Sequence, residues 1–128
     1  MESVVSKIYF PELKAIKEAA VTLKNVAAVT PLQQNFNLSN KYKANILLKR
    51  EDLQQVRSYK IRGAFNKISS LSSQELEKGI VCASAGNHAQ GVALACNKKK
   101  IFGTIFMPAP TPNQKVEQVK HDLPVFHR

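Results

Sequence analysis

Residues 80–96, IVCASAGNHAQGVALAC, decide the fold of this chain. The apolar run Ile80–Ala83 is typical of a buried strand, and Ala89, Val92, Ala93 and Cys96 then recur at helical spacing. The junction between them is the segment of residues 84–91, SAGNHAQG, in which small and polar residues interrupt the apolar chain. We therefore expect a strand, a tight junction and a helix in direct succession.

The same alternation continues on both sides of this unit. Ser58 is expected to cap a helix with an apolar face, and a short helix over residues 73–78 is expected to end at Gly79. A strand over residues 101–107 and a helix over residues 112–120 follow. The apolar face of the first helix is formed by Ile61, Ala64, Phe65 and Ile68. From residue 58 onward this order predicts an α/β fold, a parallel sheet with covering helices.

The first part of the chain is less regular. Pro11 opens a helical pattern, which Thr30-Pro31-Leu32 ends because the residue before a proline is pushed towards extended geometry. The apolar positions of that helix are Leu13, Ile16, Ala20, Leu23 and Ala27. Residues 45–49 predict a buried strand, and residues 121–128, HDLPVFHR, fit neither period and predict a detached tail.

Composition limits the class of protein. With 128 residues, 44% of them hydrophobic, the chain can form one modest globular core. Cys82 and Cys96 lie inside apolar elements, which favours buried free thiols in a reducing compartment and predicts a cytoplasmic protein. No apolar run approaches the ~20 residues of a membrane span, so no membrane partner is expected.

The net charge of +10 raises the alternative of a small basic nucleic-acid binder. The basic residues are scattered, however, and only Lys98-Lys99-Lys100 forms a run, near a predicted helix C-terminus where cations suit the dipole. A solvated basic surface is therefore favoured, and no specific nucleic acid is expected.

Two junctions carry candidate chemistry. At the first, Gly86 lets the backbone turn, and the free amides of residues 86–90 would face a carboxylate or phosphate, with Ser84 and Asn87 adding neutral hydrogen-bonding groups. The alternative is a plain turn capped by Ser84 or Asn87, and His88 alone is weak evidence for acid–base chemistry. At the second, Lys60 falls in the first turn of a helix, where a partly buried amine could form a Schiff base or could simply be solvated.

Together the junctions resemble the serine/threonine dehydratases, pyridoxal-phosphate enzymes of fold type II (tryptophan synthase β-like), and most closely the threonine dehydratases (threonine ammonia-lyases). The resemblance covers nearly the whole chain up to Lys120. The motifs that carry it are Thr30-Pro31-Leu32, residues 48–54 (LKREDLQ), residues 58–64 (SYKIRGA), residues 84–91 (SAGNHAQG), Met107-Pro108 and the helix after Thr111.

The resemblance implies a role for each matching residue. Lys60 would carry pyridoxal 5′-phosphate and move the α-proton of the substrate, with Tyr59, where the family usually has phenylalanine, beside the cofactor. Asn87 would hydrogen-bond the cofactor's ring hydroxyl. The substrate carboxylate would be bound by Ser84, Ala85, Gly86, Asn87 and His88.

No metal is implied. The implied activity is that of a carbon–nitrogen lyase of isoleucine biosynthesis, which converts L-threonine, or serine, by α,β-elimination; threonine gives 2-oxobutanoate and ammonia. Full-length relatives are implied to be homo-oligomers.

The chain also departs from that pattern. Its five glycines form no glycine-rich loop for the cofactor phosphate. We therefore expect residues 1–57 to be part of an incomplete larger domain, residues 58–120 a nearly complete smaller domain, and residues 121–128 a divergent tail. The chain is expected to be a truncated, inactive portion, with a non-catalytic amino-acid- or partner-binding fragment as the alternative. Lys60 and Asn87 should face one cleft, with roughly 5–10 Å between amine and amide, judged from aromatic contact distances.

Overall fold

The computed structural model describes residues 10–123, which form an α/β chain of six α-helices, four strands and one 3₁₀ turn. The helices are α1 (Leu13–Thr22), α2 (Phe36–Tyr42), α3 (Lys60–Ser69), α4 (Ser73–Glu77), α5 (Asn87–Lys99) and α6 (Asn113–Asp122). The strands are β1 (Leu32–Gln34), β2 (Leu47–Lys49), β3 (Ile80–Ala83) and β4 (Gly103–Phe106), and the 3₁₀ turn is Glu51–Leu53.

The predicted parallel pair is present. β3 and β4 are parallel neighbours, with Ile80 opposite Gly103 and Ala83 opposite Phe106. The amide of Ser84 donates to the carbonyl of Phe106 at 3.0 Å, so the pairing continues to the first residue of the junction. Because α5 connects the two strands, its N-terminus lies beyond the carboxyl end of β3, where parallel sheets bind ligands.

The core is built around α5. Eight consecutive residues of this helix, Ala89 to Cys96, are buried. The predicted apolar face of α3 packs against them, and all four of its residues are buried, which confirms that prediction. Small residues dominate this stretch of α5, so α3 and the sheet can approach its backbone closely. The core is completed by Val56, Cys82, Ile105, Val119 and Leu123.

The short helix α4 ends as predicted. Ser72 and Glu75 form a capping box at its start, and Gly79 follows its end with φ of +80°. A side chain at Gly79 would also lie 3.1 Å from the carbonyl oxygen of Phe102, so both the backbone angle and the space favour glycine here.

Two expectations for the first part of the chain are wrong. The predicted buried strand over residues 45–49 forms only as Leu47–Lys49 and is exposed. It pairs antiparallel with β1, a strand that was not predicted. The helical pattern was expected to include Leu23 and Ala27, but α1 ends at Thr22, and these two residues lie beyond it, partly buried against the core. No residue within α1 is buried, and Leu13 is 66% exposed. Within the described residues, no layer covers the β1–β2 pair or the exposed apolar residues of α1. Eleven of the fifteen exposed large hydrophobic residues lie between Phe10 and Leu53.

The detached tail was predicted to begin at residue 121, which is too early. Helix α6 continues through His121 to Asp122, two residues beyond the expected end, and Leu123 is only 5% exposed because it packs on the core. Residues 124–128 of the predicted tail lie outside the described residues.

Candidate functional site

The first junction residue of interest is Lys60, which opens helix α3. Its amide donates to the hydroxyl of Ser58 at 3.2 Å. The predicted N-cap is wrong by one residue, because Tyr59 occupies that position and its side chain does not cap the helix. The amine of Lys60 lies 5.0 Å from the centre of the Tyr59 ring. Lys60 is half-buried and Tyr59 is 60% exposed, so an amine and an aromatic face stand together at the edge of the core.

The second junction opens helix α5 without a cap. Gly86 is its N-cap residue, and no side chain accepts a hydrogen bond from the first turn. The hydroxyl of Ser84 accepts instead from the amide of Gly86, at 3.3 Å, and Asn87 is the first helical residue. The plain capped turn is therefore not formed, whereas α2 is capped by Asn35 and α4 by Ser72. The free amides and the dipole of a 13-residue helix suit an anion.

Gly91 brings the two junctions together. A β-carbon at Gly91 would lie 3.1 Å from the carbonyl carbon and oxygen of Lys60 and 3.2 Å from the nitrogen of Ile61. Only glycine lets the backbones of α5 and α3 approach this closely. Asn87 lies one turn before Gly91 on the same face of α5, about 6 Å along the helix axis. The turn that carries Lys60 and the start of α5 are thus neighbours, and the expected 5–10 Å between the Lys60 amine and the Asn87 amide stays a prediction.

Three of the five residues expected to bind a carboxylate line two separate clefts. His88 lines a groove of about 390 Å³ beside β3, together with Lys67 and Ala83. Ser84 and Ala85 line a second cleft of about 360 Å³ with Met107 and Pro108. The first groove runs along the length of β3, whereas the second lies at the carboxyl ends of β3 and β4; Gly86, Asn87 and Lys60 line neither of them.

A polar cluster around Glu51 was not predicted. The carboxylate of Glu51 accepts two hydrogen bonds from the guanidinium of Arg62, each 2.7 Å long, in a bidentate arrangement. The hydroxyl of Thr30 donates to the same carboxylate at 2.6 Å, and the side-chain amide of Gln54 donates to it at 3.2 Å. Gln54 also exchanges two hydrogen bonds with the backbone of Ala28.

This cluster sets the charge state of its members. The Arg62 guanidinium, followed by the hydrogen bonds from Thr30 and Gln54, lowers the pKa of Glu51 to about 2 against the opposing effect of burial. The carboxylate raises the pKa of Arg62 in turn. Three segments that the sequence shows as separate motifs therefore meet at one ionised carboxylate. The only signal in the sequence was that Glu51 and Arg62 lie in two of the motifs that carry the resemblance; their pairing is not local.

The two thiols are free and buried, as expected. Burial raises the pKa of Cys82 and raises that of Cys96 to about 11, so both are poor nucleophiles. Among residues 10–123 no group of three or more histidine, cysteine or acidic side chains is placed to hold a metal ion. In the same part of the chain, none of the helices has the length and apolar character needed to cross a membrane.

Comparison with known proteins identifies close relatives. The chain is 59% identical over 109 residues to the biosynthetic L-threonine dehydratase of Halalkalibacterium halodurans, an alignment that covers 85% of this chain and 26% of the relative. It is 60% identical over 107 residues to the enzyme of the same name from Lactococcus lactis, covering 84% of this chain and 26% of the relative. The chain therefore spans about a quarter of the length of the curated relatives it matches.

Solved structures show the same fold. Maize serine racemase superposes with a TM-score of 0.85 at 32% identity, over 93% of this chain and 36% of the racemase. Threonine deaminase isoform 2 from Solanum lycopersicum superposes with a TM-score of 0.73 at 39% identity, over 91% of this chain and 36% of that protein. These matches confirm the fold predicted for the α/β part. A family model described as pyridoxal-phosphate dependent enzyme matches residues 23–121, and the chain therefore belongs to the pyridoxal-phosphate dependent enzyme family.

Proposed function

We propose that this chain supplies the lysine-bearing part of a pyridoxal-phosphate dependent lyase that converts L-threonine to 2-oxobutanoate and ammonia. The observation that carries the proposal is the close packing of Gly91 against the backbone of Lys60, which joins an amine-bearing turn to an uncapped helix N-terminus. Relatives 57–60% identical to this chain are described as biosynthetic L-threonine dehydratases, which supports threonine as the substrate.

The donor set fits part of the cofactor. A primary amine, a neighbouring aromatic face and a side-chain amide, those of Lys60, Tyr59 and Asn87, match the aldehyde, the ring and the ring hydroxyl of pyridoxal phosphate. When bound, the cofactor supplies an electron sink for charge that develops at the substrate α-carbon. The five glycines of the chain include no run that could wrap the phosphate, so the proposed contacts of this chain are with the aldehyde, the ring and the ring hydroxyl.

The residues of the chain have distinct proposed roles. Lys60 holds the cofactor covalently and moves the proton at the substrate α-carbon, because its amine is the nucleophile at the start of α3. The amides at the start of α5, with Ser84 to His88, hold the substrate carboxylate, since that helix end is uncapped and positive. Asn87 orients the ring by a neutral hydrogen bond.

The chain is also proposed to divide in two. Among residues 10–123, the buried apolar residues of the core all lie between Val56 and Leu123, which supports a smaller domain beginning near residue 58 and a first segment that belongs to a larger one. On this reading the chain alone should deaminate threonine slowly or not at all, because charge-assisted hydrogen bonds to the phosphate, each worth about 1.5–3 kcal/mol, are missing. The two free thiols support a reducing compartment such as the cytoplasm.

Labelling with the cofactor tests the site assignment. The chain is mixed with pyridoxal phosphate, reduced with borohydride and mapped for pyridoxyl-lysine peptides by mass spectrometry. We expect Lys60 to carry most of the label, because it alone combines a half-buried amine with Tyr59 and the start of α5. Label spread evenly over the exposed lysines would refute the assignment.

Lys115 provides a matched control. It also lies in the first turn of a helix, α6, but it is exposed, whereas Lys60 is half-buried beside Tyr59. Lys60→Ala should abolish the dominant label, whereas Lys115→Ala should leave the label on Lys60 unchanged. Steady production of 2-oxobutanoate that disappears in Lys60→Ala would show that the chain needs no further residues for the phosphate.

A further inference from the structure

The carboxylate of Glu51 is fully used by hydrogen bonds within the protein. One oxygen accepts from Thr30 and from a terminal nitrogen of Arg62, and the other accepts from the Nε of Arg62 and from Gln54. The side chain of Glu51 is 15% exposed. A carboxylate held in this way has no free lone pair for a substrate and stays ionised, so it is not a candidate for acid–base chemistry.

Arg62 and Lys60 lie on the same turn of α3 but on different sides. Successive helical residues are rotated by about 100°, so two positions apart corresponds to about 200°. The backbone of Lys60 rests on Gly91 of α5, while the guanidinium of Arg62 reaches Glu51 and the carbonyl oxygen of Ala28. The first turn of α3 is therefore held on one side by a close backbone contact with Gly91 and on the other by an ion pair with Glu51.

We propose that Glu51 is a positioning residue that, through the bidentate pair with Arg62, fixes the first turn of α3 and thereby the direction of the Lys60 amine. The inference rests on the proposed role of Lys60 and adds the residue that orients it. A bidentate pair fixes the rotation of the guanidinium as well as its distance, which a single hydrogen bond does not. Without it, the turn keeps its contact with Gly91 but can rotate about that contact.

The neighbouring pair Arg50–Asp52 offers a matched control. Its guanidinium also forms two hydrogen bonds with a carboxylate, of 2.8 and 2.7 Å, and it belongs to the same segment of chain. It connects to Gln33 of β1, and none of the side-chain hydrogen bonds described for Arg50 and Asp52 reaches α3. Asp52→Asn therefore removes an ion pair of the same chemistry, one residue away, without touching the turn that carries Lys60.

The test compares the distribution of pyridoxyl label in the unsubstituted chain, Glu51→Gln, Arg62→Lys and Asp52→Asn, at a temperature where their far-UV circular dichroism is the same. The ratio of label on Lys60 to label on Lys115 should fall about tenfold or more in Glu51→Gln, since displacements of about 1 Å can cost a hundredfold in reactivity. Arg62→Lys keeps the positive charge but cannot form the bidentate pair of hydrogen bonds, so its ratio of label on Lys60 to label on Lys115 should be intermediate. Asp52→Asn should match the unsubstituted chain.

The outcomes separate this inference from the proposed function. Even labelling in the unsubstituted chain would refute the role of Lys60 and with it the inference. Selective labelling of Lys60 that is unchanged in Glu51→Gln would overturn only the positioning role. An equal fall in Asp52→Asn would also overturn it, because the effect would then come from loss of any ion pair in this segment. If Glu51→Gln does not fold, Arg62→Lys decides the question by comparison with Asp52→Asn.

Discussion

Substitution of Gly91 by alanine perturbs the contact on which the candidate site depends. The new β-carbon would lie 3.1 Å from the carbonyl carbon and oxygen of Lys60, atoms of the backbone that no side-chain rotation can move away. Helix α5 is buried at this point and α3 rests directly on it, so the two helices must separate or the first turn of α3 must shift. Either response displaces Lys60.

The cost in stability of the close contact at Gly91 can be separated from the effect of helix propensity by comparison with a second glycine. Gly63 also lies inside a helix, α3, and a β-carbon there would meet nothing within 4 Å. Gly63→Ala should therefore stabilise the chain by about 0.5–1 kcal/mol through helix propensity alone. Gly91→Ala has the same gain in propensity but adds overpacking, which costs about 1–3 kcal/mol. Because propensity cancels in the comparison, the two variants should differ by about 1–3 kcal/mol.

Urea unfolding followed by circular dichroism measures this difference. With equal m-values, the midpoint of Gly63→Ala should lie above that of the unsubstituted chain, and the midpoint of Gly91→Ala should lie well below that of Gly63→Ala. The label on Lys60 after borohydride reduction should fall only in Gly91→Ala. Equal stabilisation by the two substitutions would show that α3 does not rest on Gly91, and the link between the two junctions would be lost.

Further predictions concern the stability of the chain at low pH, the reactivity of its two thiols and the effect of its positive charge on DNA binding. The pKa of Glu51 is lowered from 4.5 to about 2, so its contribution to stability is present above pH 4.5 and lost as the pH falls towards 2. Acid titration should therefore reduce the free energy of unfolding by about 1–2 kcal/mol, a value that allows for screening at the partly exposed Arg62. This loss should be absent in Glu51→Gln. Cys82 and Cys96 should react slowly with iodoacetamide until urea is added, because burial raises the pKa of both thiols, and rapid alkylation of the folded chain would contradict their placement. Binding to DNA, if measured, should be weak and should decrease steeply with salt, and sequence-dependent binding that survives raised salt would favour a nucleic-acid function.

The part of the fold that the sequence predicted well has strong local signals. The apolar face of α3 repeats over four helical positions, and the succession of β3, junction and α5 is contained in 20 residues. The parallel pairing of β3 with β4 follows from the helix between them, because a chain that crosses over through a helix returns in the same direction. These features depend on neighbours in sequence, and pattern reasoning reaches them.

The first segment shows where pattern reasoning stops. Helix α1 and strand β2 have apolar residues at the expected spacing, yet those residues are exposed in the described part of the chain. Periodicity identifies an apolar face but does not say whether anything covers it. Strand β1 has three residues and α2 has seven, lengths at which period signals are weak. The pairing of Glu51 with Arg62 is beyond local patterns altogether, since it needs the path of the chain between them.

The lysine-bearing turn lies where two kinds of packing meet. Below it, α5 presents a backbone surface of small buried residues to α3. Beside it, the first segment of the chain contributes polar groups, with Thr30 and Gln54 buried around Glu51, and also apolar residues that pack on the core, namely Leu23, Val26 and Ala27. A close backbone contact resists compression, whereas a bidentate ion pair also fixes the rotation of the groups that it joins. If the proposed roles of Lys60 and Glu51 hold, substitution at either Gly91 or Glu51 should therefore disturb the labelling of Lys60, each through a different contact of the same turn.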